Sequence, residues 1–437
     1  MKTDHIYNYK NIAFLLFFIT LLMRVIYSVI YYYSHEIPDT NLYYELAQEI
    51  IAQGRILYDT SHPYYEFPGP VIPWINALTM LVFGVNYLGL YLVTSLASAF
   101  ITYYTYKTAR LILDARTSLF AGIWSALYLF YFYYTPTPGK DIWMAFFMIY
   151  LIYMLLKLFI LDKFRYPGFI WFTTMFVISF HLDERFFVFT PFIFLFILYH
   201  DTRSFSRLRI ERSLIFACLV ILLMVPWTIR NYHKHDKIVI LSTRTEVFTD
   251  KLFGYESRGH MMDKFNDIYG AFYIHDYQID SVIRGEKTVT DGGRTISKAQ
   301  VEAMKRGELP RPLTGIRAVL SRLATMFEPF QVKGRYERTG YFYYKKSLRH
   351  NLATFLFYGI LFFFSFPGFY QLFKKNKPVF YVLISTIIIY AMVHALTIPY
   401  TNWRYRLPLD AVFIMMGCYG MVIIYNQIKV KIFKIIQ

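Results

Sequence analysis

One acid and a scatter of cations carry whatever chemistry this sequence can do. Asp39, in His35-Glu36-Ile37-Pro38-Asp39-Thr40, heads an amphipathic stretch. A carboxylate there can act as general base toward a hydroxyl, or simply cap the helix behind it. Arg404 and Arg406 lie in the short loop Ile398-Pro399-Tyr400-Thr401-Asn402-Trp403-Arg404-Tyr405-Arg406-Leu407-Pro408. Guanidinium groups present a planar fork of donors to phosphate and can stack on flanking rings such as Trp403 and Tyr405, so a phosphate at a bilayer face is the simplest ligand; headgroup snorkelling is the plainer use of the same residues. Lys140 and Asp141 follow Pro138-Gly139. They offer a cation and an acceptor for a hydroxyl, or an ordinary helix start with Asp141 in its first turn. Arg185 in His181-Leu182-Asp183-Glu184-Arg185 and Arg230 in Pro226-Trp227-Thr228-Ile229-Arg230-Asn231-Tyr232 add further cations. Either can instead pair with a local acid, as Arg185 can with Asp183 or Glu184.

A lone acid facing several cations suits transfer from a lipid-linked phosphate. Asp39 takes the proton of an acceptor hydroxyl while the arginines stabilise the departing phosphate, and no separate general acid is needed because phosphate leaves as a stable anion. No Asp-x-Asp pair exists for the metal-diphosphate site of nucleotide-sugar enzymes. His62 and Glu66 share the Asp39 loop and could hold a metal, but residues so isolated are ordinarily just solvated. No metal or other cofactor is predicted.

The elements that must position these groups are membrane helices. The 437 residues are 56% hydrophobic, 21% aromatic and only 17% charged, far more apolar than a soluble domain. The formal charge of +17 comes from Lys and Arg flanking apolar runs instead of lining one soluble face, which fits lipid headgroups and argues against nucleic acid. Cys218 and Cys418 both fall inside apolar runs and show no zinc-type spacing. The first apolar run lacks a small-residue cleavage site and reads as a retained span.

Spans are predicted at 12–33, 87–111, 118–134, 141–161, 167–181, 186–200, 213–229, 351–373, 378–397 and 408–425, about ten in all. Between Thr40 and Gln53 the apolar residues Leu42, Tyr43, Leu46, Ala47, Ile50 and Ile51 fall on one helical face, and Gly54 stops the helix. Too short and polar to span, it should lie at the surface, with the Pro70–Gly84 run beside it. Basic residues at Lys107, Arg110, Arg116, Lys157, Lys163, Arg165, Arg203, Arg207, Arg209, Arg212, Lys374, Lys375 and Lys377 mark one set of loops as cytoplasmic, whereas the 35–70 loop is acidic. Both termini are therefore expected in the cytoplasm, with the Asp39 loop outside. Three regions follow: 1–229, membrane, with the catalytic first external loop at 34–86; 230–350, extracytoplasmic; and 351–437, membrane. In the middle region Ile238-Val239-Ile240-Leu241 reads as a strand, Ser297 with Gln300 as a capping box, and Gly315 to Phe327 as a surface-lying helix, so a small mixed α/β subdomain is expected.

The order of these features resembles the GT-C superfamily of polyprenyl-phosphate-sugar-dependent glycosyltransferases, in the branch of the protein O-mannosyltransferases and the aminoarabinose transferases of lipid A. The resemblance rests on Arg24 in the first span, Asp39 followed by Tyr43, Ala47 and Gly54, the run Pro68-Gly69-Pro70, Pro226-Trp227 leading to Arg230-Asn231-Tyr232, and the closing Arg404-Tyr405-Arg406-Leu407-Pro408. It implies that Asp39 takes the place of the first-loop catalytic aspartate, that Arg404 and Arg406 bind the donor phosphate, and that the anomeric carbon is inverted. Thr40, where protein O-mannosyltransferases tend to have a second acid, argues against a protein acceptor, and no Trp-Trp-Asp signature of oligosaccharyltransferases is present.

The sequence thus predicts an all-α multi-pass membrane protein of GT-C type with interfacial helices. It would transfer one sugar from a polyprenyl phosphate to a hydroxyl of an extracytoplasmic glycan, lipid or protein. The rivals are a polymerase or ligase using a diphosphate-linked saccharide and a flippase for lipid-linked saccharide. A transporter with inverted repeats normally shows Gly/Pro-broken spans at matching places in two halves, and this chain does not.

Overall fold

The computed structural model describes residues 4–35, 42–54, 69–161, 164–200, 206–235, 238–241, 290–291, 294–295, 315–329, 348–397 and 403–436. Among these the chain is helical apart from turns and one two-residue antiparallel pair, in which Thr290 faces Thr295 and Asp291 faces Arg294. The expected all-α class holds. Most of the region expected to be mixed α/β, including Ser297 and Gln300, lies outside the described residues, as does Asp39.

The first ten helices are α1 (Asp4–Ser34), α2 (Leu42–Gln53), α3 (Val71–Phe83), α4 (Tyr87–Ile112), α5 (Ala115–Leu127), α6 (Leu129–Tyr134), α7 (Asp141–Leu155), α8 (Tyr166–Leu182), α9 (Phe189–His200) and α10 (Ser206–His235). Longer helices follow at Gly315–Phe327, Ile360–Lys375, Lys377–Thr397 and Asp410–Ile436. Among the described residues seven helical stretches are long and apolar enough to cross a bilayer: Asn11–Ser34, Tyr87–Ile112, Asp141–Ile160, Arg207–His233, Asn351–Lys375, Lys377–Leu396 and Arg404–Ile432. The other three expected spans are helical but shorter. The 118–134 segment breaks at Tyr128, whose backbone is extended at φ −65° and ψ 114°, while α8 and α9 have 17 and 12 residues. Apolar composition alone cannot register such a break.

Local signals set several boundaries. Gly54 and Gly84 take positive φ, at 60° and 82°, where they end α2 and α3. Asn86 caps α4 by accepting from the Gly89 amide at 2.9 Å, and Asp114 caps α5 by accepting from the Thr117 amide at 3.0 Å. Pro73 is tolerated because it sits in the first turn of α3, where its missing N–H costs nothing.

The chain divides into two compact units, one comprising Met1–Ser242, Ile360–Ile387 and Leu407–Gln437, the other Thr243–Gly359 and Ile388–Arg406. In the first, α1 packs along α4 through small polar side chains. Ser28 and Ser95 hydrogen-bond at 3.0 Å, and Thr102 on α4 meets Ser125 on α5 at 3.2 Å. Without water to compete, such contacts let helix backbones approach closely. Arg24 is fully buried in this seam, so it does not snorkel. Its Nε donates to Ser98 at 3.1 Å, its Nη2 to the Ala126 carbonyl at 3.0 Å, and its Cζ lies 3.4 Å from the centroid of the Phe132 ring.

Ile360–Lys375 packs on Asp410–Ile436 through glycines. A Cβ built on Gly368 would fall 2.1 Å from the Met416 carbonyl oxygen, and one on Gly420 1.8 Å from that of Phe364. The start of the last helix is fixed to the broken segment, since the Tyr128 hydroxyl donates to Asp410 Oδ2 at 2.9 Å inside the protein.

Candidate functional site

In the first unit two of the sequence-predicted cations, Lys140 and Arg185, meet around an acid that the sequence offered only as a local partner. Asp183 ends α8 in an extended conformation and is completely buried. It accepts from the Arg185 amide at 3.1 Å, and its carboxylate forms ion pairs with both Arg185 and Lys140. Lys140 arrives from the turn before α7 and Arg185 from the 3-10 turn after Asp183, so two chain segments far apart in sequence close on one carboxylate. Burial by itself pushes the Asp183 pKa up, but the Arg185 and Lys140 cations outweigh it and hold the carboxyl well below the usual range. Asp141, also buried, opens α7, where a carboxylate faces the positive end of the helix.

Around the same turn the Pro68-Gly69-Pro70 run acquires a physical meaning. A Cβ on Gly69 would lie 1.9 Å from the His181 carbonyl oxygen, so only glycine lets the chain lead into α3 at that point. From α3, Asn76 donates to the Pro138 carbonyl at 3.1 Å, tying α3 to the turn that carries Lys140. Trp74 meets Trp227 edge to face with ring centroids 6.4 Å apart, and Trp227 in turn meets His181 at 5.5 Å.

The Pro226 to Tyr232 motif turns out to hold backbone. Trp227 Nε1 donates to the Leu241 carbonyl at 2.7 Å, Asn231 Nδ2 to that of Val239 at 2.9 Å, and Thr228 Oγ1 to that of Ile240 at 3.4 Å. The expected strand at Ile238–Leu241 is therefore not one: its carbonyls are taken by side chains of α10. Arg230 is half-buried, donates to Asn231 Oδ1 at 2.9 Å and lies with its Cζ 5.0 Å from the Trp227 ring.

The second unit holds the closing Arg-Tyr-Arg. Arg404 is exposed, whereas Arg406 is fully buried. The stacking partner of Arg406 is neither Trp403 nor Tyr405 but Tyr358, with Cζ 3.2 Å from the ring centroid. Arg406 Nη1 also reaches the Met326 carbonyl at 3.5 Å, and the Tyr358 hydroxyl donates to the Phe327 carbonyl at 3.3 Å. These carbonyls end the helix Gly315–Phe327, where no intrahelical donor remains for them and the dipole is negative, so a guanidinium and a phenol suit the place. Tyr405 instead faces His394 at 5.5 Å between ring centroids. No group of three or more His, Cys, Asp or Glu suited to a metal occurs among the described residues.

Residues 61–229 match the family of dolichyl-phosphate-mannose-protein mannosyltransferases, a stretch that contains Lys140, Asp141, Asp183 and Arg185. No curated protein sequence matches the chain. Among solved structures, the archaeal oligosaccharyltransferase AglB from Archaeoglobus fulgidus, in complex with an inhibitory peptide and a dolichol-phosphate, is similar over 98% of this chain and 52% of its own, with a TM-score of 0.56 and 14% identity. The apo form of the A. fulgidus enzyme is similar over 99% and 52%, with a TM-score of 0.56 and 13% identity. ArnT from Cupriavidus metallidurans in the apo state aligns over 96% of this chain and 76% of its own, at a TM-score of 0.42 and 14% identity. At such identities the likeness to AglB is one of fold, and this chain spans about half of that protein's length. Of the resemblance read from the sequence, residues 61–229 carry the family match and the fold is shared with AglB.

Proposed function

We propose that the chain is a membrane glycosyltransferase that moves a single sugar from a polyprenyl phosphate to a hydroxyl of an extracytoplasmic acceptor, with inversion. The observation that carries this reading is the match of residues 61–229 to a family named for a dolichyl-phosphate-linked sugar. The fold shared with an oligosaccharyltransferase that binds dolichol-phosphate supports it.

In this reaction the acceptor oxygen attacks the anomeric carbon as Asp39 takes its proton. The bond from that carbon to the phosphate oxygen breaks on the opposite face, and the polyprenyl phosphate leaves with the bonding electrons. One displacement inverts the centre. Arg404, exposed beside the buried Arg406, is the cation suited to the departing phosphate. Arg406, engaged by Tyr358 and a helix end, fixes the turn that presents it. Lys140 and Arg185, gathered on Asp183, supply positive potential at the second external edge beside Asp141, and Arg230 and, in the closing loop, Tyr405 complete the residues assigned to substrates. The basic loops favour cytoplasmic termini and a reaction on the outer face.

Purified protein in proteoliposomes, given a radiolabelled polyprenyl-phosphate sugar and a hydroxyl acceptor, tests the reading. Transfer by the wild type and a loss of about 100-fold or more in Asp39→Asn are expected, as for removal of a general base. Undiminished turnover in that variant would remove Asp39 from the role. Sugar crossing sealed vesicles without bond formation would replace the enzyme with a flippase, and preference for a diphosphate-linked donor would make it a polymerase or ligase.

A further inference from the structure

The helix Gly315–Phe327 is built inside out for a helix in water. Its Arg322 is buried at 6% exposure, as are Thr325 and Met326, while Ile316 and Leu320 stand out at 69% and 57%. At about 100° per residue Ile316 and Leu320 share one edge, and Arg322 lies about 200° around from Leu320, on the far side. An arginine turned in and two large aliphatics turned out reverse what water favours, so the outer edge calls for an apolar partner.

The places where the helix is tied identify that partner. Arg322 Nη1 donates to the Ala395 carbonyl at 2.8 Å. That carbonyl lies in the last turn of Lys377–Thr397, where no intrahelical donor remains for it. The apolar stretch Lys377–Leu396 has 20 residues and rises about 30 Å, the thickness of a hydrocarbon core, so Ala395 sits at the edge of that core. One turn further along the short helix, the Met326 carbonyl is met by Arg406 Nη1 at 3.5 Å, and Arg406 stands in the opening turn of the next span, Arg404–Ile432. The helix is thus pinned where one span leaves the bilayer and the next enters it. Ile388, Met392 and Leu396 form an exposed apolar stripe that reaches the same end of the first of these spans, so the lipid-facing surface continues up to this level. A stable protein partner needs about 800 Å² a side, more than an edge with two protruding side chains offers, whereas a lipid surface gains from each aliphatic group separately.

We infer that the Ile316–Leu320 edge is a bilayer-docking surface, seated among the acyl chains just beneath the headgroups of the leaflet where the Lys377–Thr397 helix emerges. Composition places this helix at a surface; the buried Arg322 fixes which edge meets the lipid. The inference goes beyond the glycosyltransferase reading and does not depend on it.

The test uses the full chain in phosphatidylcholine proteoliposomes, carrying Cys218→Ala because Cys218 is exposed and Cys418 is buried. A nitroxide is attached to Ile316→Cys or Leu320→Cys, and its collisions with oxygen, which concentrates in lipid, are compared with those of a nickel chelate, which stays in water. Both labels should favour oxygen, as a label at Leu396→Cys does, and adding Leu320→Glu should shift the label at 316 several-fold toward nickel, since a carboxylate resists entry into hydrocarbon. Substitutions at such exposed positions should leave the melting temperature in detergent unchanged, and if one labelled variant melts early the other decides alone. Nickel favoured at both positions would mean that water covers the edge, and shielding from both reagents would mean a protein surface, a second copy included; either result overturns the inference. So does a label at 316 that keeps its oxygen preference in Leu320→Glu. No sugar transfer is read in any arm, so failure here is separate from failure of the glycosyltransferase reading.

Discussion

Asp183, itself fully buried, receives Lys140 in an ion pair, although the two residues belong to different loops and Asp183 already holds Arg185. The local sequence pairs Arg185 with its neighbour but gives no hint that Lys140 joins them. Removing the shared acid leaves two cations facing each other with little solvent. Asp183→Ala should therefore destabilise the protein by about 3–5 kcal/mol, as for one partner removed from a buried pair, read as a lower melting temperature in detergent. Lys140→Met, which removes one cation and keeps the volume, should cost much less.

The same carboxylate sets an acid limit. Its folded pKa lies below that of the unfolded chain, near 4, so its contribution is complete above that value and is lost as the pH falls through the folded pKa. Melting temperatures should show no Asp183-dependent change between about pH 5 and 8. They should fall below about pH 4, and Asp183→Asn should flatten that fall. An equal slope in wild type and variant would assign the acid sensitivity to other groups.

Arg404 and Arg406 should separate in kinetics. Arg404→Ala is expected to raise the KM for polyprenyl-phosphate sugar about tenfold while the melting temperature stays put, because an exposed guanidinium adds little to folding. Arg406→Lys keeps the charge but loses the flat stack on Tyr358 and the fork toward Met326, so it should cost about 1–2 kcal/mol of stability. If Arg406→Lys melts like the wild type, the stack is not holding the turn.

Gly420 tests the packing of Ile360–Lys375 on Asp410–Ile436. Gly420→Ala places a methyl against the Phe364 carbonyl, and the helices must separate to admit it. A loss of about 1–3 kcal/mol is expected, the range for overpacking a tight contact, whereas Asn86→Ala should cost about 1 kcal/mol through the lost cap of α4. Comparable melting temperatures for Gly420→Ala and wild type would mean that the two helices can move apart freely.

Much of the fold is legible in the sequence because its signals are local. The apolar face between Leu42 and Ile51 and the stop at Gly54 give α2, and the helix Gly315–Phe327 appears at its expected bounds. What the sequence misses depends on partners from elsewhere. Ile238–Leu241 has strand-like composition, but α10 side chains occupy its carbonyls, and no composition shows that. The break at Tyr128 is hidden inside an aromatic run. At the site, Lys140 and Arg185 are recognisable as cations, yet their common acid and the ring beneath Arg406 emerge only when distant segments are brought together.

The hydrogen bond from Tyr128 to Asp410 also bears on how the chain is built. The phenol belongs to a segment synthesised long before its acceptor, so this buried hydrogen bond cannot form until the chain has been made past residue 410. Packing around Tyr128 is therefore completed only when the helix Asp410–Ile436, whose first residue lies 282 positions further along the chain, is in place.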